Sequence, residues 1–340
     1  MSRPPGAVAL LVLALAAAAC GAPTPAAPRG TPPPSPRASA SPSLPPVSAD
    51  HVLASLGAGP VYAVGDGWLY ADVEVHGEGV GGTPQLVRYD LATLHRDTTV
   101  LDLTENPMGI ALAGGVVHLL LPDQLLLVDA ATLRITARIH LPGAAARLSV
   151  GGGSDWVADS SEGKVLRVDT RRSAVVASIT VSTPEAAAQL DGGDPSIVAW
   201  SNGSVWTNLG AVQKVARIDP ATNTVAAAYA TPFGGIDTMQ PTADGGVWMD
   251  FFDDGRFVHV DPAGHMETLP YVFPQPTGFV VRGNDIWFAS HRIGELRRVD
   301  ITSGQVSERI LVEAPAGQVL DDGTSIWAWG NGHITRVDPR

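Results

Sequence analysis

Asp285-Ile286-Trp287-Phe288-Ala289-Ser290 and Glu295-Leu296-Arg297-Arg298-Val299-Asp300, with Thr277 to Arg282 before them and Gln305 to Val312 after, form the stretch on which the fold turns. β-Branched and aromatic residues fill the four segments, Gly283-Asn284 and Thr302-Ser303-Gly304 mark joins, and the period is two rather than 3.6. Such a pattern predicts four short antiparallel strands joined by hairpins.

The same unit recurs seven times. Its first anchor is an apolar segment ending in Asp: Asp90, Asp129, Asp169, Asp219, Asp261, Asp300 and Asp338, at intervals of 39, 40, 50, 42, 39 and 38 residues. Its second is a Trp after a Gly-rich turn: Trp68, Trp156, Trp206, Trp248, Trp287 and Trp327, with Val117 expected in that place in the second unit. Trp156, Trp206, Trp248 and Trp287 each stand 13 residues before the next anchor Asp. Seven four-stranded units predict an all-β, seven-bladed β-propeller over residues 51–340. The seventh unit stops at Arg340 after its third strand, and Val52 to Leu56 resembles the missing fourth. The N-terminal strand should therefore complete the last blade and cover its open edge.

Loop lengths separate the two faces of such a ring. The turns between first and second strands, and those beginning at each anchor Asp, are tight and rich in Gly, Asn and Pro, as in Asp219-Pro220-Ala221. The opposite face holds the insertion from Asp72 to Gln85, the crossover from Thr183 to Pro195, and the loops around Phe233, Phe251 and Phe273. Binding residues concentrate on irregular loops of a regular scaffold. The anchor tryptophans are expected to pack between blades and the anchor aspartates to form turns.

Of the 340 residues, 45% are hydrophobic and 16% charged, against roughly 25% charged in soluble globular proteins. Residues 51–340 carry 33 acidic and 19 basic side chains, a net of −14. That excess excludes a nucleic-acid partner. With Cys20 the single cysteine, no intrachain disulfide can form.

Ahead of the propeller, Arg3 precedes thirteen apolar residues, Ala7 to Ala19, too few to span about 30 Å of hydrocarbon. Ala17-Ala18-Ala19-Cys20-Gly21 resembles a bacterial lipoprotein signal, which implies removal of the signal peptide and lipidation of Cys20. An ordinary cleaved signal is the alternative. Residues 21–50 are rich in Pro, Ala and Ser and read as a disordered tether leaving the tight-turn face, so that the variable face points away from the membrane.

All seven phenylalanines lie between Phe233 and Phe288. Phe233, Phe251, Phe252 and Phe273 fall in loops of the variable face beside Asp250, Asp253 and Asp254, and with Arg292 they form the ligand-binding candidates; the alternative is that the rings only pack. His76 with Asp72, Glu74 and Glu78, and His291 with Arg292, hold metal-ligating or acid–base types, though a solvated loop is the better reading.

The units from Gly203-Ser204-Val205-Trp206 to Asp219-Pro220 and from Asp285-Ile286-Trp287-Phe288 to Asp300 resemble the YVTN-type and streptogramin lyase-like (virginiamycin B lyase) propeller families. The resemblance implies a lyase with a His at the start of an innermost strand, a Glu closing a Trp-Phe-x-Glu segment, and a magnesium ion. Here the segment ends in Ser290, and of the seven units only Trp156-Val157-Ala158-Asp159 has an acid there. Asp159, Asp250 and His291 are accordingly the weak catalytic candidates. The first expectation is a lipid-anchored, extracytoplasmic and monomeric binding module without a cofactor, taking a small ligand or protein on its variable face. The alternative is a streptogramin lyase-like or other metal-assisted enzyme at the central opening, which would add a divalent metal.

Overall fold

The computed structural model describes residues 47–48, 52–55, 61–75, 82–182, 195–291, 293–312, 316–330 and 333–339. Cys20, the tether as far as residue 46, His76, Glu78, the crossover residues 183–194 and Arg292 lie outside the described residues. The strands fall into seven sheets, each with a four-stranded antiparallel meander. Blade six, for example, comprises Pro276–Arg282, Asp285–Ser290, Glu295–Asp300 and Val306–Leu311. One 3-10 turn, Gly210–Val212, is the only helical segment among the described residues.

Blade seven closes as expected. Its own strands, Ala316–Asp321, Ile326–Gly330 and His333–Val337, are joined by Val52–Ser55, with Val52 opposite Arg336 and Ser55 opposite His333. A second N-terminal pairing is not legible in the sequence. Val47–Ser48 runs parallel to Val306–Leu311, Val47 opposite Arg309, and gives blade six a fifth strand. The pairing of the blades with the N-terminal segment therefore includes residues before 51, and the outer edges of the last two blades are both covered.

Seven buried apolar clusters lie between consecutive blades. One joins Trp327 and Ile334 of blade seven to Leu69 and Val87 of blade one, which makes the core a closed ring. Into these interfaces point the anchor rings, identified by register with the third strand: Trp156 opposite Arg167, Trp206 opposite Arg217, Trp248 opposite His259, Trp287 opposite Arg298 and Trp327 opposite Arg336.

Two blades depart from the spacing read in the sequence. In blade one the place belongs to Tyr70, opposite Arg88, rather than Trp68; in blade two it belongs to His118, opposite Leu127, rather than Val117. The cause is hairpin length. Eleven positions separate Trp156 from Arg167, but nine separate His118 from Leu127 and 18 separate Tyr70 from Arg88, so no single distance back from the anchor Asp finds the place.

The repeated Arg-x-Asp motif supplies both halves of an inter-blade latch. Arg167 lies 5.1 Å from the centre of the Trp156 ring, and its Nη1 donates to the Pro220 carbonyl, just after the next blade's anchor Asp, at 2.7 Å. Arg88 reaches Ala130 O and Arg336 reaches Leu91 O in the same way, while between blades four and five Tyr229 donates to Pro262 O at 3.1 Å. The anchor aspartates form turns as expected. Asp300, for instance, accepts from both the hydroxyl and the N–H of Ser303, which holds its carboxyl below the ordinary carboxylate range.

Candidate functional site

Innermost strands begin, and second strands end, on the variable face. At its centre the channel opens into a cavity of about 480 Å³, walled by Met108, Ile110, Arg147, Leu148, Thr238 and Gln318 and by the glycine backbone of blades two, six and seven. These residues come from the starts of five innermost strands: Gly109–Ala113 with Met108 just before it, Ala145–Gly151, Ile236–Pro241, Pro276–Arg282 and Ala316–Asp321. In blades three, five, six and seven the register shifts at that point, between Ala145 and Arg147, Ile236 and Met239, Thr277 and Phe279, and Ala316 and Gln318. Such bulges re-aim side chains. Gly278 sits in one, at φ +53°, where a Cβ would come within 2.8 Å of the Gly317 carbonyl oxygen, so a larger residue would force blades six and seven apart.

Among the residues lining this opening one is charged. Arg147 is exposed in the channel, and its Nη1 donates to Met108 O at 3.4 Å. Asp237, the neighbour of Thr238, is exposed to solvent but hemmed in by protein on most sides. That burial pushes its carboxyl up, Arg147 pulls it down and Asp253 pushes it up again. Behind it Asp250 is fully buried, with Oδ1 accepting from the N–H and hydroxyl of Thr238 at 2.5 and 2.7 Å and Oδ2 without a hydrogen-bond partner. Burial, reinforced by the charge of Asp237, pushes the Asp250 carboxyl up to about 8. In blade four Asn208 does the same work: its Oδ1 accepts from the N–H groups of Ser196 and Ile197 at 3.0 and 2.9 Å. Both side chains tie the start of an innermost strand to the end of the second, a task that suits an amide or a neutral carboxyl.

The other expected site residues disperse. Asp159 is buried and caps its own hairpin, accepting from Ser161 and Glu162, with Gly143 packed against its carboxylate. His291 meets the edge of Phe252 at 6.1 Å and leaves its buried Nδ1 without a partner. Phe251 and Phe273, expected as an exposed aromatic wall, are instead core. Phe251 belongs to the cluster between blades four and five, and Phe273 packs 5.5 Å from Phe257 and 5.3 Å from Phe288 between blades five and six. Phe251 ends the second strand of blade five, Val247–Phe251, and Phe273 follows the last strand of that blade; rings this large gain more by filling a blade interface than by facing water. Phe233 and Phe252 remain half-buried and Asp253 exposed.

Among the described residues the donors for a magnesium ion do not fit. Ser290, in the place of the expected Glu, donates to Pro274 O at 2.6 Å, and among the described residues no three His, Cys, Asp or Glu side chains converge. Sequence reasoning missed Arg147, Asp237, Thr238 and Gln318, which carry no motif. The one signal was their position two or three residues into an innermost strand, where an extra residue interrupts the alternation.

No protein-family model matches the chain, and no curated protein matches it significantly. Solved structures do. A streptogramin B lyase superposes with TM-score 0.66 at 10% identity, over 84% of this chain and 97% of that one. The fold is streptogramin B lyase-like. Virginiamycin B lyase from Staphylococcus aureus gives TM-score 0.66 at 13% identity over 85% and 99% of the two chains. The β-propeller domain of Myceliophteria thermophila Cps50 (Swd1) also gives 0.66, at 12% identity over 85% and 100%. At such identities the likeness carries the architecture and leaves the chemistry to the site.

Proposed function

We propose that this chain is an exported, lipid-anchored propeller that binds a small ligand at the mouth of its central channel. The observation that carries the reading is the cavity of about 480 Å³, into which five blades deliver both apolar walls and the exposed guanidinium of Arg147. Ligand pockets of roughly 300–1,000 Å³ with a few convergent polar groups are the usual form of such a site. Anchoring rests on the sequence: an apolar run ending at Cys20, then a proline-rich tether. Among the described residues no helix is long and apolar enough to cross a membrane.

A crystallographic fragment screen of the mature chain tests the binding reading. Hits should gather in the cavity and weaken in Arg147→Gln; hits elsewhere only would sink it. Membrane fractionation tests the anchor, with Cys20→Ser expected to release the protein.

One observation favours a second, enzymatic reading. A buried carboxyl poised near neutral pH beside a cavity is a frequent sign of acid–base chemistry, and Asp250 is one. Loss of streptogramin B on incubation with the wild type, abolished in Asp250→Asn, would support it.

A further inference from the structure

Among the described residues two arginines stand on innermost strands, Arg147 in Ala145–Gly151 of blade three and Arg282 in Pro276–Arg282 of blade six. Arg282, at the tight-turn end, is fully engaged by its neighbours. Its Nε donates to Asp321 Oδ2 at 2.9 Å and its Nη2 to Asp321 Oδ1, while Nη1 donates to Thr324 O at 3.1 Å and Nη2 to Ser325 O at 3.2 Å. Arg147, at the variable-face end, is not. The strand register shifts just before it, between Ala145 and Arg147, and its guanidinium has one long hydrogen bond, Nη1 to Met108 O at 3.4 Å, and no ion pair among the described residues. Asp237 stands near enough for Arg147 to draw its carboxyl down, but it does not line the cavity. The exposed Arg147 fork is thus the one charged group in the wall of the cavity of about 480 Å³.

We infer that the channel mouth takes an apolar monocarboxylate, its carboxylate paired with the Arg147 guanidinium and its hydrocarbon laid against Met108, Ile110 and Leu148. The inference rests on the binding reading above and names the ligand class of the same cavity. A guanidinium presents a planar fork that matches a carboxylate with two parallel hydrogen bonds, and Arg282 with Asp321 shows this chain building that pairing from its own residues. Met108 is exposed and Ile110 and Leu148 are half-buried, so a hydrocarbon seated on them would remove apolar surface from water on both sides. Thr238 and Gln318 add only neutral polar groups. The charge balance favours one negative charge on the ligand over two. Residues 51–340 carry a net of −14 and Asp237 stands near Arg147, so a second negative charge would meet repulsion that a single guanidinium does not offset. A cation would be repelled by Arg147. A neutral ligand would displace water from the guanidinium without supplying a counter-charge.

The test is calorimetric titration of the mature full-length chain with octanoate, octanamide and octyl phosphate. Octanoate should bind saturably, and octanamide should bind about tenfold or more weakly, the effect of losing a charge-assisted pair. Octyl phosphate should also bind more weakly than octanoate. Arg147→Gln should bring octanoate down to the level of octanamide, while Arg147→Lys, which keeps the charge without the fork, should retain part of the difference. The side chain is exposed and makes one long bond, so unchanged circular dichroism and melting temperature are expected and serve as the folding control. Octanamide binding as tightly as octanoate, octyl phosphate binding more tightly, Arg147→Gln binding octanoate as the wild type does, or no binding of octanoate at about 10 mM would each overturn the inference. If fragments still occupy the cavity in any of these cases, the binding reading stands and only the ligand class is lost; an empty cavity throughout removes both.

Discussion

His118 of blade two and Asp155 of blade three meet Nδ1 to Oδ2 at 2.6 Å, both buried, at the place that five other blades fill with a tryptophan and blade one with Tyr70. A polar link replaces a large ring at one of seven seams. Removing one partner strands the other without water, which costs about 3 kcal/mol or more, whereas removing both costs much less. His118→Leu should therefore lower the thermal midpoint sharply, and His118→Leu combined with Asp155→Ala should recover part of the loss. Additive losses in a double-mutant cycle would show that the two side chains are not coupled.

The Arg latch is the second seam device. Arg167 donates to Ser154 Oγ, Pro220 O and Asn223 Oδ1, the last two in blade four. Arg167→Met keeps most of the apolar stem over Trp156 and removes these bonds. Chemical denaturation should show a loss of about 1–3 kcal/mol.

Asp250 makes stability depend on pH. Its folded carboxyl is raised to about 8 from an ordinary 3.8, so between those values the native state holds a proton that the unfolded chain has lost. Its contribution is fully present below about pH 4 and drains away as pH rises through 8. Asp250→Asn, which copies Asn208 in blade four, should flatten that slope and raise the melting temperature above pH 7. A variant with the wild-type pH profile would remove Asp250 as its source.

Core and loop phenylalanines should separate cleanly. Phe273→Ala opens a cavity among Phe257, Phe279 and Phe288 and should cost about 3–5 kcal/mol, as should Phe251→Ala. Phe252→Ala, at a half-buried ring, should cost well under half of that. Comparable melting temperatures for all three variants would contradict the burial described.

Ring closure can be tested by deletion. Residues 47–56 contain both N-terminal pairings, so removing them exposes the outer edges of blades six and seven and should lower the melting temperature strongly. Deleting 22–45 should leave it unchanged. Equal midpoints would show that closure does not depend on these strands.

Blade number, strand number and the closing strand were legible in the sequence because each blade is a local meander whose turns and period-two strands repeat at fixed spacing, and because the last unit visibly lacks one strand. Register was legible only where hairpins share a length, which is why Tyr70 and His118 were passed over for Trp68 and Val117. Burial of Phe251 and Phe273 depends on residues from an adjoining blade, so no local pattern marks it. The cavity lies furthest from sequence reasoning. Met108, Arg147, Thr238 and Gln318 belong to four different blades, and only closing the ring and bulging the innermost strands bring them to one opening. Local periodicity determined the repeat; the cavity at the channel mouth exists only once seven blades enclose a common axis.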